Sequence, residues 1–181
     1  GIMNSPNGQP ALYEYRISDK NNLAVYGKID KPQFLWAGGW YFYTLYNLFG
    51  LRENEWNISF SPYIHKELDT VNLIVNLKGI PVKVEISGKG NEIASINYDG
   101  KEIPSAVIPE DINDFKKISF KLGEAQTPYL SSANALVYSP VYTEETKALE
   151  FNLESFEGHS IEFKIKSPIE MKNIFIDGKS L

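Results

Sequence analysis

The amino-acid sequence predicts a mainly β chain, an antiparallel β-sandwich preceded by one apolar helix. Three observations predict it. From residue 71 onward apolar and polar residues alternate in short runs, the period-two pattern of strands with one buried face. Those runs recur roughly every ten residues and are separated by Gly, Pro, Asn and Asp, the spacing of an all-β domain. Ahead of them, the stretch that runs from Phe34 to Leu51 carries no charge and no alternation.

Residues 1–33 are polar, with Asn, Gly and Pro clusters at 4–10 and 19–22 around two short apolar runs. Turn chemistry at Asp19-Lys20-Asn21-Asn22 suggests a loop with a small hairpin. Pro32 then precedes the uncharged stretch, and Gly50 follows it as a residue that tolerates positive φ at a helix end. The pattern predicts one helix at about residues 35–49. Phe34, Trp36, Trp40, Tyr41, Phe42, Tyr43, Tyr46 and Phe49 point in every helical direction. A helix on a small domain needs a polar face, and this one has none. It calls for protein on all sides, which marks the chain as a piece of something larger.

After Trp56 the pattern changes, so the expected domains are 1–55, with the helix, and 56–181, with the strands. Val71, Leu73, Val75 and Leu77 share one face, as do Val82, Val84 and Ile86, with Gly79-Ile80-Pro81 expected as the turn between them. Further strands are expected at 92–98, 101–103, 117–122, 135–139, 148–153, 160–166 and 173–176. One local repeat stands out. Ile96-Asn97-Tyr98-Asp99-Gly100-Lys101 resembles Ile174-Phe175-Ile176-Asp177-Gly178-Lys179, and Asp-Gly accepts the positive φ of a tight hairpin.

The bulk properties exclude several classes. A net charge of −5 with scattered lysines and no basic run argues against nucleic acid as a partner. The absence of cysteine removes disulfide scaffolds, thiolate metal sites and thiol nucleophiles, and favours the cytoplasm over an oxidising compartment while leaving the compartment open. His65 and His159 have no metal-ligand spacing and are expected at the surface or a strand edge. Asn57-Ile58-Ser59 is a glycosylation sequon of the kind that arises by chance. No basic segment followed by an apolar core marks a signal peptide in residues 1–20. The uncharged stretch is at the lower limit of the roughly 17–25 residues a membrane span requires, and Gly38, Gly39, Thr44, Asn47 and three tyrosines weaken it further, so no membrane is expected.

No nucleophile elbow, phosphate loop or metal cluster is present, so no catalytic residue, metal or cofactor is assigned. Glu85, Glu92, Asp99, Glu150 and Glu162 fall on outward strand phases or turns, where solvation explains them. Glu110, Asp111 and Asp114 follow Pro109 in a short helix or turn. The candidate binding residues are Trp36, Trp40 and Tyr41, because sugars stack their C–H faces on aromatic rings and Gly38-Gly39 removes bulk beside them. Plain core is the competing reading of the same residues.

The run from Gln33 to Gly50, QFLWAGGWYFYTLYNLFG, followed by Asn57-Ile58-Ser59-Phe60-Ser61-Pro62-Tyr63, resembles the end of the catalytic barrel in six-hairpin glycosidases, above all those related to cellobiose phosphorylase. The two Asp-Gly-Lys hairpins resemble those of the sandwich that follows that barrel. The resemblance implies that the helix is left from an α/α barrel and that the strands form a jelly-roll-like C-terminal sandwich. The implied role is a non-catalytic accessory domain of a glycoside hydrolase or phosphorylase. Its partner would be the catalytic barrel of the parent chain, with an oligosaccharide as ligand and homo-oligomers formed through the Phe34 to Leu51 helix. The family's acid and base come from upstream of this helix, so none is transferred to this chain. The alternative is a self-contained carbohydrate-binding module with a groove of exposed aromatics such as Tyr129, Tyr138 or Tyr142.

Overall fold

The computed structural model describes residues 35–180, so the hairpin expected within residues 1–33, as well as Phe34 and Leu181, lies outside the described residues. The described chain is mainly β with one short helix, α1 (Leu35–Leu48). The chain divides into two compact units between Asn47 and Leu48, earlier than the change of pattern at Trp56. Of the first unit only α1 is described. Its polar side chains bond within the helix: Thr44 Oγ1 donates to the Trp40 carbonyl at 2.8 Å, and Asn47 Nδ2 to the Tyr43 carbonyl at 2.8 Å.

The second unit begins with the helix exit. Gly50 adopts φ +77°, and a Cβ there would stand 1.9 Å from the Ser61 carbonyl oxygen, so only glycine fits. The Gly50 carbonyl accepts from Ser61 N at 2.7 Å. Around that contact β1 (Leu51–Glu53) pairs antiparallel with β2 (Ile58–Phe60).

The main sheet has five strands: β3 (Thr70–Leu77), β4 (Ile80–Gly88), β5 (Ile93–Tyr98), β6 (Lys101–Glu102) and β7 (Lys117–Leu122). Their order is β3-β4-β7-β5-β6. The predicted alternation holds: Val75, Leu77, Val82, Val84, Ile86, Ile96, Ile118, Phe120 and Leu122 are buried, and Asn72, Ile74 and Lys83 are exposed. Two expectations need correction. The turn after β3 is Lys78-Gly79, both at positive φ, so that Ile80 and Pro81 already pair with Leu77 and Asn76. Pro81 is tolerated because the ladder between β4 and β7 starts only at Lys83, beyond the missing N–H. Nor is the sheet wholly antiparallel. β7 inserts between the consecutive strands β4 and β5, parallel to the first and antiparallel to the second. Both Asp-Gly pairs turn hairpins as expected, with positive φ at Asp99, Gly100, Asp177 and Gly178.

A further ribbon covers the buried face of this sheet. Residues 104–108 run between β2 and β8 (Tyr129–Ala133), and backbone bonds join them on both sides. Phe60 N donates to Ala106 O and Ile108 N to Ile58 O; Ala106 N donates to Leu130 O and Leu130 N to Pro104 O. Alternation then sorts the side chains. Phe60, Ala106, Ile108 and Tyr129 join the core of the five-stranded sheet, with the Phe60 and Phe120 ring centres 4.9 Å apart. Val107, Leu130 and Ala133 face a second cluster with Val137, Phe151, Leu153 and Phe163. The last two come from β10 (Ala148–Glu154) and β11 (Phe163–Lys166); β9 (Leu136–Thr143) pairs with β10, and β11 with β8. The hairpin of β12 (Phe175–Ile176) and β13 (Lys179–Ser180) closes the described chain.

Strand 160–166 is shorter than its pattern predicts. The Asn134 amide accepts from Glu162 N and donates to Ser160 O, taking the groups that would extend the ladder. Tyr129, expected as a groove aromatic, is instead core.

Tyr98 yields a test. Its ring packs edge-on to Phe115, its hydroxyl is buried without a protein partner, and burial pushes its pKa far above the ordinary tyrosine value. An unpaired buried hydroxyl costs free energy, so Tyr98→Phe should hold or raise stability by about 1 kcal/mol in urea melts at neutral pH. Above pH 10.0 the unfolded phenol ionises while the buried one stays protonated, so wild-type stability falls with rising pH. The variant should lose that component of the decline; a destabilised variant with an unchanged alkaline slope would contradict it.

Candidate functional site

The described aromatic side chains of α1 are largely in solvent. Trp40 is 56% exposed, and Tyr41, Tyr43 and Tyr46 are exposed as well. Trp40 and Tyr43 meet edge to face at 5.6 Å, a pairing of residues three apart on one helix face. Trp36 precedes Trp40 by about one turn; its side chain lies outside those described. Tyr41 follows Trp40 by about 100° of helical rotation, so Trp40 and Tyr41 present to different directions. No acidic residue occupies the first turn and no basic residue the last, so the exposed surface is aromatic and uncharged.

A second aromatic group lies in the β-rich unit, built from residues other than the Tyr129, Tyr138 and Tyr142 expected from the sequence. Asn54 Oδ1 accepts from Trp56 N at 2.7 Å and Asn57 N at 2.9 Å, winding residues 54–57 into a tight turn. That turn presents the Trp56 ring to Phe156 and His159 from the β10–β11 connection. Trp56 and Phe156 stack at 5.4 Å and 27°, and His159 lies 4.7 Å from Trp56 and 5.1 Å from Phe156. His159 Nε2 is 3.0 Å from the Asn134 carbonyl, which can only accept, so that nitrogen carries the hydrogen. Phe156 stays 65% exposed. Asn134 also lines a shallow recess with Ser132, Glu162 and Lys164. The available signal was a phenylalanine alone in the polar run Ser155–Gly158, where no strand asks for one.

Beneath this group Asn57 is only 5% exposed, and its Nδ2 donates to the Ala133 and Ala135 carbonyls, each at 2.8 Å. The sequon therefore belongs to the interior.

The polar groups elsewhere hold structure. Glu85 is flanked by Lys117 at 3.3 Å and Lys83 at 3.7 Å on the open sheet face. Asp99 accepts from Lys116 N and Lys117 N, fixing the start of β7. Asp111 accepts from Ser139 N at 3.0 Å and Ser139 Oγ at 2.6 Å, where Ser139 stands at φ +49° beside the break in the β9–β10 ladder. Partial desolvation pushes the Asp111 carboxyl up, but these bonds and the Lys101 charge hold it below its ordinary value. Ser139 Oγ thus donates to a carboxylate that stays ionised, and His65 and His159 are committed elsewhere in the fold. An apolar cavity of about 180 Å³ opens among Leu77, Ile80, Val82, Ile108 and Phe115, with Lys78 at its lining paired to Glu110. No group of three or more metal-ligating side chains occurs among the described residues, and no described helix is long and apolar enough to cross a membrane.

Comparison with protein-family models, with curated proteins and with solved structures found no match to this chain.

Asn57→Ala should destabilise strongly, because it removes the interior donor to the Ala135 carbonyl and leaves the Ala133 carbonyl only the 3.4 Å bond from Asn54 Nδ2, at roughly 1–3 kcal/mol for an unsatisfied group. Urea denaturation checks it: a loss smaller than that of an exposed control such as Asn72→Ala would contradict the role given to this amide.

Proposed function

We propose that this chain is a non-catalytic accessory portion of a carbohydrate-active enzyme, a glycoside hydrolase or phosphorylase. In this reading α1 is the last helix of an α/α barrel and the β-rich unit is a jelly-roll-like sandwich that supports that barrel. The observation that carries it is the exposed, uncharged aromatic surface of α1, with Trp40, Tyr41, Tyr43 and Tyr46 in solvent. A surface of this kind marks a site for covering protein or ligand. The resemblance of residues 33–63 to the barrel terminus of six-hairpin glycosidases names the cover.

A second reading rests on the other aromatic group. The exposed Phe156, stacked on Trp56, offers a ring face for C–H stacking, and His159 of the same group bonds the carbonyl of Asn134, which lines a recess together with Glu162 and Lys164. This would make the β-rich unit a carbohydrate-binding module in its own right.

Under the first reading, the reading frame that encodes this chain contains an α/α barrel upstream of Gly1. The 181-residue chain alone then turns over no aryl glycoside or oligosaccharide, with or without inorganic phosphate. Turnover by the isolated chain would overturn it. Under the second, affinity electrophoresis in soluble polysaccharide gels shows retardation that Phe156→Ala removes and Tyr142→Ala leaves. No retardation in any gel would leave Phe156 as a loop anchor only.

A further inference from the structure

The two edges of the five-stranded sheet are built very differently. One edge, β6, is two residues long and consists of Lys101 and Glu102, the short, charged edge by which natural sheets avoid pairing with other chains. The other edge, β3, is Thr70-Val71-Asn72-Leu73-Ile74-Val75-Asn76-Leu77. It has eight residues, no charge, no proline and an unbroken register against β4. Among the described residues β3 pairs with β4 alone, so the backbone groups along its outer side have no strand partner. At its centre Ile74 is 76% exposed, an isoleucine on the polar face of the sheet.

We infer that β3 is a self-association edge, on which a second copy of this chain adds its own β3 in antiparallel register about a twofold axis at Ile74. The strand's own sequence selects that partner and that register. Antiparallel partners share a face, so inward residues must meet inward and outward residues outward. With Ile74 opposite the partner's Ile74, Asn72 falls opposite the partner's Asn76, Leu73 opposite the partner's Val75 and Val71 opposite the partner's Leu77. Every pair then joins like with like: amide with amide and isoleucine with isoleucine outside, aliphatic with aliphatic inside. Shifting the axis to Leu73 keeps the faces but sets Asn72 against the partner's Ile74, which pairs an amide with an aliphatic group. The flanking charges are engaged within the chain, Asp69 with Lys89 and Lys78 with Glu110, so the register is selected by the strand's own side chains. Val71 and Leu73, only half-buried in the single chain, gain cover from the pairing.

The chain has no cysteine, so a single introduced thiol reports on one site. By light scattering at high micromolar concentration the wild-type chain should show twice its 20.5 kDa mass. Ile74→Lys places two like charges directly opposite each other and should return the mass to that of one chain, with an unchanged far-ultraviolet spectrum. Ile74→Cys should form a covalent dimer under mild oxidation, while Phe175→Cys, an exposed site on another strand, should not. A wild-type monomer would overturn the inference, and strong amide-exchange protection of β3 in that monomer would show the edge filled from within the chain. A dimer that survives Ile74→Lys but is lost on Trp40→Ala would overturn it in favour of association through α1.

Discussion

The β-rich unit depends on one stretch of backbone with no room on either side, residues 104–108. Its carbonyls and amides are joined to β2 on one edge and β8 on the other, and its side chains are packed above and below. A segment enclosed in this way must satisfy every polar group internally. Ser105, fully buried, shows how closely that is met: its hydroxyl donates to Val107 O at 2.6 Å and accepts from Val107 N at 3.1 Å. The same stretch explains the mixed sheet. The chain leaves β6, crosses the core in this segment, and returns as β7 into the gap between β4 and β5.

That crossing also fixes where the surface features stand. β8 and the start of β9 are held against the middle segment, and their connecting residues carry Asn134 and the two carbonyls that Asn57 grips. The turn at residues 54–57 and the β10–β11 connection are thereby drawn together, and Trp56, Phe156 and His159 meet. Residues about a hundred positions apart form one aromatic group because a buried amide ties their supports.

Much of the main sheet was legible in the sequence. Val71 to Leu77, broken only at Ile74, and Val82 to Ile86 alternate, and Asp99-Gly100 marks its turn by chemistry that few other pairs share. The middle segment was not legible, for a physical reason: Pro104, Ser105 and Pro109 read as loop, and a strand apolar on both faces shows no alternation. β8 failed likewise, since Tyr129 and Leu130 are adjacent apolar residues followed by two serines, which leaves no alternation to read. Parallel pairing leaves no local mark at all, because it is decided by where a distant strand returns. Of the candidate binding residues, Trp40 and Tyr41 are exposed, whereas the Trp56 group arises only from tertiary contacts. No spacing rule links Trp56 to Phe156.

The buried amide of Asn57 sets an order of events on the chain. Both of its hydrogens are engaged by carbonyls, so attaching a glycan to Nδ2 would remove one donor and force a bulky polar group into the interior. Folding and modification at this residue exclude each other, and whichever comes first prevents the second. A host whose secretory machinery recognises the nascent triplet before β8 and β9 have formed would produce chains unable to close their core. Expression without that machinery, or with Ser59→Ala to erase the triplet while keeping the amide, is the route to native material.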